Sequence, residues 1–209
     1  MRAALCWRML MGHWTQVINL FMRFYISNGT ITPAEQVVSP NFGDRPKGVP
    51  IDLVVVHSIS LPPGEYGTGA VQRFFCNQPQ VSEHPYFEEI AGLKVSAHVL
   101  IERSGKVTQF VNLDRRAWHA GRSCFEGREE CNDFSIGIEL EGTDYDVFEA
   151  AQYTALAALV IALESYYEGV TTERIVGHSD IAPGRKTDPG EGFDWQKLGC
   201  EIARLREFS

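Results

Sequence analysis

The sequence predicts an α+β (mixed α/β) protein in which helices flank a central mixed β-sheet. Strand-like apolar runs and helical patterns are intermingled along the chain, and one pair of strands is joined by a tight turn. The chain has 209 residues, which is enough to bury one sizeable core. No repeat or linker-like segment interrupts residues 31–209, so we expect them to form a single domain.

Five regions have the pattern of strands. Residues 51–57, IDLVVVH, are rich in β-branched side chains, which is typical of a buried strand. Residues 96–102 and 107–111 flank the turn signal Ser104-Gly105 and predict a hairpin. Residues 134–140 alternate cleanly in polarity, and 174–177 predict a last short strand.

Helical patterns fall between these strands. Asp146 and Glu149 have the spacing of a capping box, and apolar residues recur at helical intervals after them. Asp194 is a candidate cap for a final helix, and shorter helices are predicted near 70–76 and 86–90. The long helix is predicted from Tyr153, Leu156, Leu159, Val160 and Leu163, and the final one from Leu198, Ile202 and Leu205.

Residues 1–30 are expected to form a poorly ordered extension. Polar residues such as Arg8, His13 and Arg23 interrupt its apolar stretches, so neither a signal peptide nor a membrane span is predicted. One alternative is a start at Met22. Another is a membrane-surface or partner helix with Val17, Leu20, Phe21 and Phe24 on one face.

Net charge limits the classes of binding partner, and cysteine content indicates the redox compartment. The net charge of −8 leaves no basic stripe, which argues against nucleic acid and against stable attachment to an anionic membrane. The five cysteines form no CxxC pair and favour reduced thiols in the cytoplasm. Only Cys124 and Cys131 are placed for a local disulfide.

Two histidines and an aspartate suggest a metal site. His57 ends one predicted strand, His178 follows another, and Asp188 lies between turn-forming residues in the segment GHSDIAPGRKTDPG. Two imidazoles and one carboxylate suffice for catalytic zinc and leave one position for water. The spacing equally allows a hydrogen-bonded strand-end histidine and a turn-forming aspartate.

A carboxylate and an amine complete the candidate site. By the period of two, Ser135, Gly137 and Glu139 share one strand face, so Glu139 is expected to face a cavity as a general base. Glu141 is expected on the opposite face, at a solvated rim. Lys186 is expected beside the metal, where it would stabilise an oxyanion. The alternative is that Lys186 pairs with a nearby aspartate, Asp180 or Asp188.

Six segments carry a family resemblance: VVVHSISLPPGEYG, HPYFEEI, VSAHVLIERSGKVTQFV, RAWHAG, CNDFSIGIELEGTD and GHSDIAPGRKTDPG. Together they resemble the AmpD-type 1,6-anhydro-N-acetylmuramyl-L-alanine amidases, bacterial zinc enzymes of cell-wall recycling. The resemblance runs from about Val38 to Trp195. It implies the amidase fold shared with peptidoglycan recognition proteins and a phage lysozyme.

The resemblance also implies a role for each candidate residue. His57, His178 and Asp188 correspond to the zinc ligands, Glu139 to the general base and Lys186 to the group that stabilises the transition state. The implied substrate is a muropeptide with an anhydro-sugar end, cut between the lactyl group of muramic acid and L-alanine.

Three further positions are expected to contact substrate. At position 58 the family often has asparagine, whereas this chain has Ser58. At position 94 it often has arginine, whereas this chain has Lys94, so sugar or peptide groups of the substrate would be held differently. Trp118 is a candidate wall for a sugar ring, with a core tryptophan as the alternative. His98 and His119 are expected to orient other groups rather than bind metal.

Two rival functions remain at this stage. One is a non-catalytic peptidoglycan-binding module on the same fold, although all five candidate positions hold chemically competent residues. The other is a wall-degrading amidase outside the cytoplasm, for which we find no export signal or wall-binding repeat in the sequence.

Overall fold

The computed structural model of the protein describes residues 23–207, which fold around a six-stranded mixed sheet. Two 3-10 turns, at Cys131–Asp133 and Thr172–Arg174, precede two of its strands. In chain order the strands and helices are β1 (Tyr25–Ser27), β2 (Thr30–Thr32), β3 (Glu35–Gln36), β4 (Phe42–Gly43), β5 (Leu53–Ile59), α1 (Ala70–Phe75), α2 (Tyr86–Ile90), β6 (Val99–Ile101), β7 (Val107–Gln109), β8 (Arg116–Ala117), β9 (Cys124–Phe125), β10 (Arg128–Glu129), β11 (Ser135–Glu141), α3 (Ala150–Tyr166), β12 (Ile175–Gly177), α4 (His178–Ile181) and α5 (Trp195–Arg206).

The main sheet has the order β12-β5-β11-β6-β7-β3. Its first four strands are mutually parallel, whereas β6 and β7 form the predicted antiparallel hairpin. Gly105 in that hairpin turn has φ +83°, a conformation that favours glycine. The predicted central mixed sheet with flanking helices is confirmed. Because β12, β5 and β11 are parallel neighbours, their carboxyl ends lie at the same edge of the sheet.

The core explains why β5 and β11 are apolar along their length. Both strands lie inside the sheet, and Leu53 to Val56 are fully buried. One face of the sheet packs against α3, which in turn contacts α5. The other face packs against α1 and α2 through a second apolar cluster that includes Phe75, Phe87 and Leu100.

The start of α3 differs from the predicted one. The helix begins at Ala150 with Glu149 as its N-cap, and the capping box joins Glu149 to Gln152 rather than Asp146 to Glu149. Asp146 instead accepts hydrogen bonds from Tyr66 and Thr143 in the preceding loop. The predicted cap of α5 is confirmed, because the Asp194 carboxylate accepts from the Lys197 amide at 2.9 Å.

The expectation for Glu141 was wrong. Its side chain is buried and accepts hydrogen bonds from the backbone amides of Gly67 at 2.6 Å and Arg103 at 3.2 Å. By the period of two it shares the face of Glu139 rather than the opposite one. Glu141 therefore anchors two loops instead of lying at a solvated rim.

The segment assigned to the N-terminal extension is described only from residue 23. Phe24 is buried, β1 pairs with β2, and the Gly29 carbonyl accepts from Gln109 Nε2 at 2.8 Å. Residues 23–30 thus pack on the domain, while the rest of the predicted extension, including most of the proposed helical face, lies outside the described residues. Within residues 23–207, no helix combines the length and apolar character needed to cross a membrane. The described cysteines, Cys76, Cys124, Cys131 and Cys200, are free thiols.

Candidate metal centre and active site

Sheet topology brings the two predicted histidine ligands together. Val56 on β5 lies opposite Gly177 on β12, so the residues that follow, His57 and His178, are neighbours at the carboxyl edge of the sheet. Their Nδ1 atoms are 3.0 Å apart. Asp188 Oδ2 lies 3.0 Å from the first and 3.1 Å from the second. In residues 23–207 these three form a cluster whose ligand atoms all lie within 4.8 Å of one another.

Local backbone structure delivers Asp188 to this cluster. After α4 the chain turns back, and the Ser179 amide donates to the Asp188 carbonyl at 3.0 Å. Gly177 makes the close approach possible, because a Cβ there would lie 2.9 Å from Pro189 Cδ. Asp180 accepts from the Gly177 amide at 2.7 Å and so fixes the turn that begins at His178.

The protonation pattern of His178 leaves a lone pair facing Asp188. Its Nε2 lies 3.0 Å from the carbonyl oxygen of Ala120, which can only accept, so Nε2 carries the proton. In the neutral ring Nδ1 is then unprotonated, 3.1 Å from the carboxylate oxygen. Two facing lone pairs favour a cation between them, and two imidazoles with a carboxylate are a donor set suited to a metal ion.

The same argument applies to His57 through a chain of hydrogen bonds. The Cys131 carbonyl accepts from the Ser135 hydroxyl at 2.6 Å, so that hydroxyl accepts from His119 Nε2 at 3.2 Å. His119 Nδ1 is left to accept from His57 Nε2 at 2.9 Å. His57 Nδ1 is therefore also a lone pair directed at the cluster. His119 thus has the orienting geometry expected of it.

Gly137 provides the room for this chain. A Cβ on Gly137 would lie 2.4 Å from His119 Cγ, so no larger residue fits beside the ring as it stands. His98 is held elsewhere: it accepts from the Gly137 amide and donates to the Arg115 carbonyl, each at 3.0 Å. Neither His98 nor His119 belongs to the ligand cluster.

The pKa shifts of His57 and Asp188 favour the protonation states that bind a metal ion. Burial lowers the pKa of His57 to about 4, so the ring is neutral at physiological pH. Burial alone raises the pKa of the Asp188 carboxyl, but its contacts with His178 and His57 outweigh this and leave the pKa below its usual range. His57 is thus held neutral and Asp188 anionic, the forms in which each can bind a cation.

Glu139 has the environment of a proton acceptor in a dry site. It is buried, and its Oε2 has no hydrogen-bond partner among the described residues. Burial, followed by the charge of Asp188, raises the pKa of Glu139 well above its usual value, although Lys186 opposes the shift. A buried carboxylate that has a raised pKa and one oxygen without a hydrogen-bond partner is suited to general acid–base work.

A cavity of about 480 Å³ connects these groups. Lys186 is exposed, lines the cavity, and forms no ion pair with any residue in 23–207, so the alternative pairing with Asp180 or Asp188 is not seen. Ser58 and Trp118 also line it, whereas Lys94 is exposed and stands outside the lining. The cavity has an apolar part made by Ile59, Leu61, Phe74, Phe75, Tyr86, Ile90, Leu93 and Val95.

Sequence reasoning missed that apolar part. Its residues come mainly from α1, α2 and the segment after α2. The short helical patterns at 70–76 and 86–90 predicted the elements but gave no sign that they face a cavity. A signal was available in Leu93 and Val95, which are apolar although they lie outside any helix or strand.

Comparisons with known proteins agree with this geometry. The model of the N-acetylmuramoyl-L-alanine amidase family matches residues 47–191. The chain is 51% identical over 172 residues to the 1,6-anhydro-N-acetylmuramyl-L-alanine amidase AmpD of Haemophilus influenzae, covering 82% of this chain and 94% of that protein. It is 50% identical to AmpD of Escherichia coli K12, covering 86% and 97% respectively.

Solved structures give the same result for the fold. A crystal structure of a selenomethionine AmpD derivative superposes with a TM-score of 0.82 at 48% identity, covering 85% of this chain and 98% of that one. The E. coli amidase AmiD, in complex with anhydro-N-acetylmuramic acid-L-Ala-D-γ-Glu-L-Lys, superposes with a TM-score of 0.54 at 26% identity. That match covers 85% of this chain and 65% of AmiD.

Proposed function

The chain belongs to the N-acetylmuramoyl-L-alanine amidase family, and on this basis we propose that it hydrolyses the amide between the lactyl group of 1,6-anhydro-N-acetylmuramic acid and L-alanine in muropeptides. One observation carries the assignment of its chemistry: three lone pairs, from His57, His178 and Asp188, converge on one point. The names of its relatives support the choice of substrate.

His57, His178 and Asp188 would hold a zinc ion. When bound, the ion supplies Lewis-acid polarisation of a carbonyl and makes a water molecule more acidic. The chain's own contribution is to keep both Nδ1 atoms unprotonated, through His119 for His57 and the Ala120 carbonyl for His178. These partners also fix the orientation of each ring.

Glu139 acts as general base and then as general acid. Its buried carboxylate takes a proton from the attacking water and delivers it to the departing alanine nitrogen. The raised pKa of Glu139, caused first by burial and then by the charge of Asp188, strengthens the carboxylate as a base. One residue in two roles needs no covalent intermediate. The Lys186 ammonium, exposed to the cavity, stabilises the oxyanion that forms as water adds to the carbonyl.

The cavity walls provide substrate contacts. Trp118 presents an aromatic surface suited to a sugar ring, and Ser58, whose hydroxyl donates to Asp144, adds a polar group to the cavity lining. The apolar part accepts the uncharged faces of the anhydro-sugar or the alanine methyl group. Lys94 is exposed next to two lining residues, Leu93 and Val95, and from there it would reach substrate carboxylates at the cavity mouth.

We place this activity in the cytoplasm, in the recycling of soluble wall fragments. The acidic net charge of −8 does not favour attachment to anionic polymers or membranes. A small soluble muropeptide fits a cavity of about 480 Å³ better than a cross-linked wall does.

Two measurements on purified protein test the function. Elemental analysis should find about one zinc per chain, and mass spectrometry should detect free stem peptide after incubation with an anhydro-muropeptide. Intact sacculi should be cleaved far more slowly than the soluble substrate. Zinc binding without any cleavage would support a binding module and overturn the proposal; faster cleavage of sacculi would instead indicate a wall-degrading amidase.

A further inference from the structure

Asp144 connects three segments that carry the proposed site. It lies in the loop after β11, three residues beyond Glu141. Its Oδ1 accepts a hydrogen bond from the Ser58 hydroxyl at 3.1 Å, and its Oδ2 accepts one from the Thr187 hydroxyl. Ser58 directly follows His57, and Thr187 stands between Lys186 and Asp188. A single carboxylate thus contacts the neighbours of three proposed functional residues.

Backbone contacts hold Asp144 against the loop that carries Lys186 and Asp188. The Asp144 carbonyl accepts from the Gly192 amide at 2.9 Å. A Cβ on Gly190 would lie 2.2 Å from Asp144 Cα, so only glycine allows this approach, and the φ of +79° at Gly190 favours glycine as well. The two loops are therefore in backbone contact at Asp144.

A second aspartate of the same loop makes a different set of contacts. Asp146 accepts hydrogen bonds from Tyr66 and Thr143, and neither donor is adjacent in sequence to a proposed metal ligand, base or oxyanion-stabilising residue. The loop therefore carries two aspartates with separate tasks: Asp146 anchors the loop itself, and Asp144 reaches across to the site segments. Asp144 is not among the clustered ligand atoms.

We infer that Asp144 is a positioning residue, which sets the Lys186–Asp188 segment relative to His57. This rests on the proposed function for the roles of the three residues that it aligns. Lys186 and Asp188 lie on an exposed to half-buried turn, so hydrogen bonds from Asp144 add to the backbone hydrogen bonds that hold the turn in place. The link through Thr187 acts on Asp188 and Lys186, and the link through Ser58 ties the same carboxylate to β5.

The test compares Asp144→Ala with the matched control Asp146→Ala. Zinc affinity is measured with a competing chromophoric chelator, and kcat and KM are measured at saturating zinc. We expect Asp144→Ala to weaken zinc binding by about tenfold, the effect typical of groups that orient ligands. It should also lower kcat by at least about tenfold with a smaller change in KM, since misplacing Lys186 affects the transition state. Asp146→Ala should lower the free energy of unfolding but leave zinc affinity unchanged.

A double-mutant cycle tests whether Asp144 affects zinc binding and kcat through Thr187. If Asp144 acts through Thr187, adding Thr187→Val to Asp144→Ala should cause little further loss, whereas Thr187→Val alone should reproduce part of it. The inference would be overturned if Asp144→Ala had wild-type zinc affinity and wild-type kcat. It would also be overturned if the losses of Asp144→Ala and Thr187→Val were fully additive in the double variant. If wild-type protein bound zinc without cleaving muropeptide, the proposed function would fail, but the affinity comparison would still judge Asp144.

Discussion

Glu139 and His57 lie directly opposite each other on the adjacent parallel strands β11 and β5. In-register partners on neighbouring strands point to the same face of a sheet, so the proposed base and the proposed ligand share one cavity without any loop rearrangement. His178 follows β12 on the other side of β5, and the three groups stand side by side at the carboxyl edge. Rigid strands therefore determine the placement of His57 and Glu139, and the end of β12 that of His178.

Replacing Glu139 with glutamine should remove turnover and leave metal binding intact. The amide keeps the shape of the side chain but cannot accept the proton of water, so kcat should fall by about 10²- to 10⁴-fold. The measurements are muropeptide hydrolysis and zinc content of the same preparation. Hydrolysis near the wild-type rate would show that another group is the base.

Replacing His178 with alanine should lower zinc content well below one equivalent. The variant removes one of three ligands and leaves two donors, His57 and Asp188. Elemental analysis after dialysis against a weak chelator checks this. His84→Ala is the matched control, because His84 is exposed, lies outside the ligand cluster, and its ring accepts a local hydrogen bond from the Tyr86 amide. A full zinc equivalent in His178→Ala would contradict the ligand assignment.

Replacing Lys186 with methionine should lower kcat by about 10²-fold or more while zinc content stays unchanged. Methionine keeps the length of the side chain and removes the charge that stabilises the oxyanion. Steady-state kinetics at saturating zinc provide the measurement. Lys47→Met, at another exposed lysine, serves as the charge-matched control. A rise in KM with kcat intact would instead assign Lys186 to substrate binding.

Gly137→Ala should disturb His119 and, through it, His57. The added Cβ would lie 2.4 Å from His119 Cγ, so the ring must move and the hydrogen bond to His57 Nε2 weakens. We expect a loss of about 1–3 kcal/mol in the free energy of unfolding from overpacking. We also expect zinc affinity to fall about tenfold.

Gly199→Ala is the control for that substitution. Gly199 lies in α5 with nothing within 4 Å of the added Cβ, so alanine should stabilise the protein by up to about 1 kcal/mol through helix propensity. Denaturant unfolding and chelator competition measure both variants. Unchanged zinc affinity in Gly137→Ala would show that the His119 contact does not support the metal site.

The free energy of unfolding should fall as pH drops below about 6.5, partly because of His98. Burial, followed by the positive charge of Arg45, lowers the pKa of His98 well below its usual value. The unfolded chain therefore binds a proton that the folded protein excludes, so this stability is present above the unfolded pKa and lost below it. Glu139 acts in the opposite sense, because its pKa is raised.

His98→Gln isolates that contribution. The slope of unfolding free energy against pH, between pH of about 5 and 7, should decrease by up to about 1.4 kcal/mol per pH unit relative to wild type. Denaturant unfolding of metal-free samples gives the slope, whatever the absolute stability of the variant. An identical slope in both proteins would exclude a depressed pKa at His98.

The sequence by itself determined the elements and the chemistry on offer. Strand and helix patterns gave the mixed sheet, because burial imposes a period of two on strands such as β11 and of about 3.6 on α3. Glu139 alternates with the apolar residues of β11, so the period of two places its side chain on the opposite face of the strand from theirs. The motif segments gave the family, and the comparisons confirm it.

Only the tertiary structure decided which groups meet. Strand order depends on pairing between distant parts of the chain. The local sequences of β5 and β12 therefore do not predict that the Nδ1 atoms of His57 and His178 lie 3.0 Å apart. The face of Glu141 follows from the period of two and was assigned wrongly, but its partners, the amides of Gly67 and Arg103, come from distant loops that only the fold brings to it. Asp144 was overlooked for the same reason. A carboxylate's task depends on the donors around it, and folding rather than spacing along the chain brings those donors together.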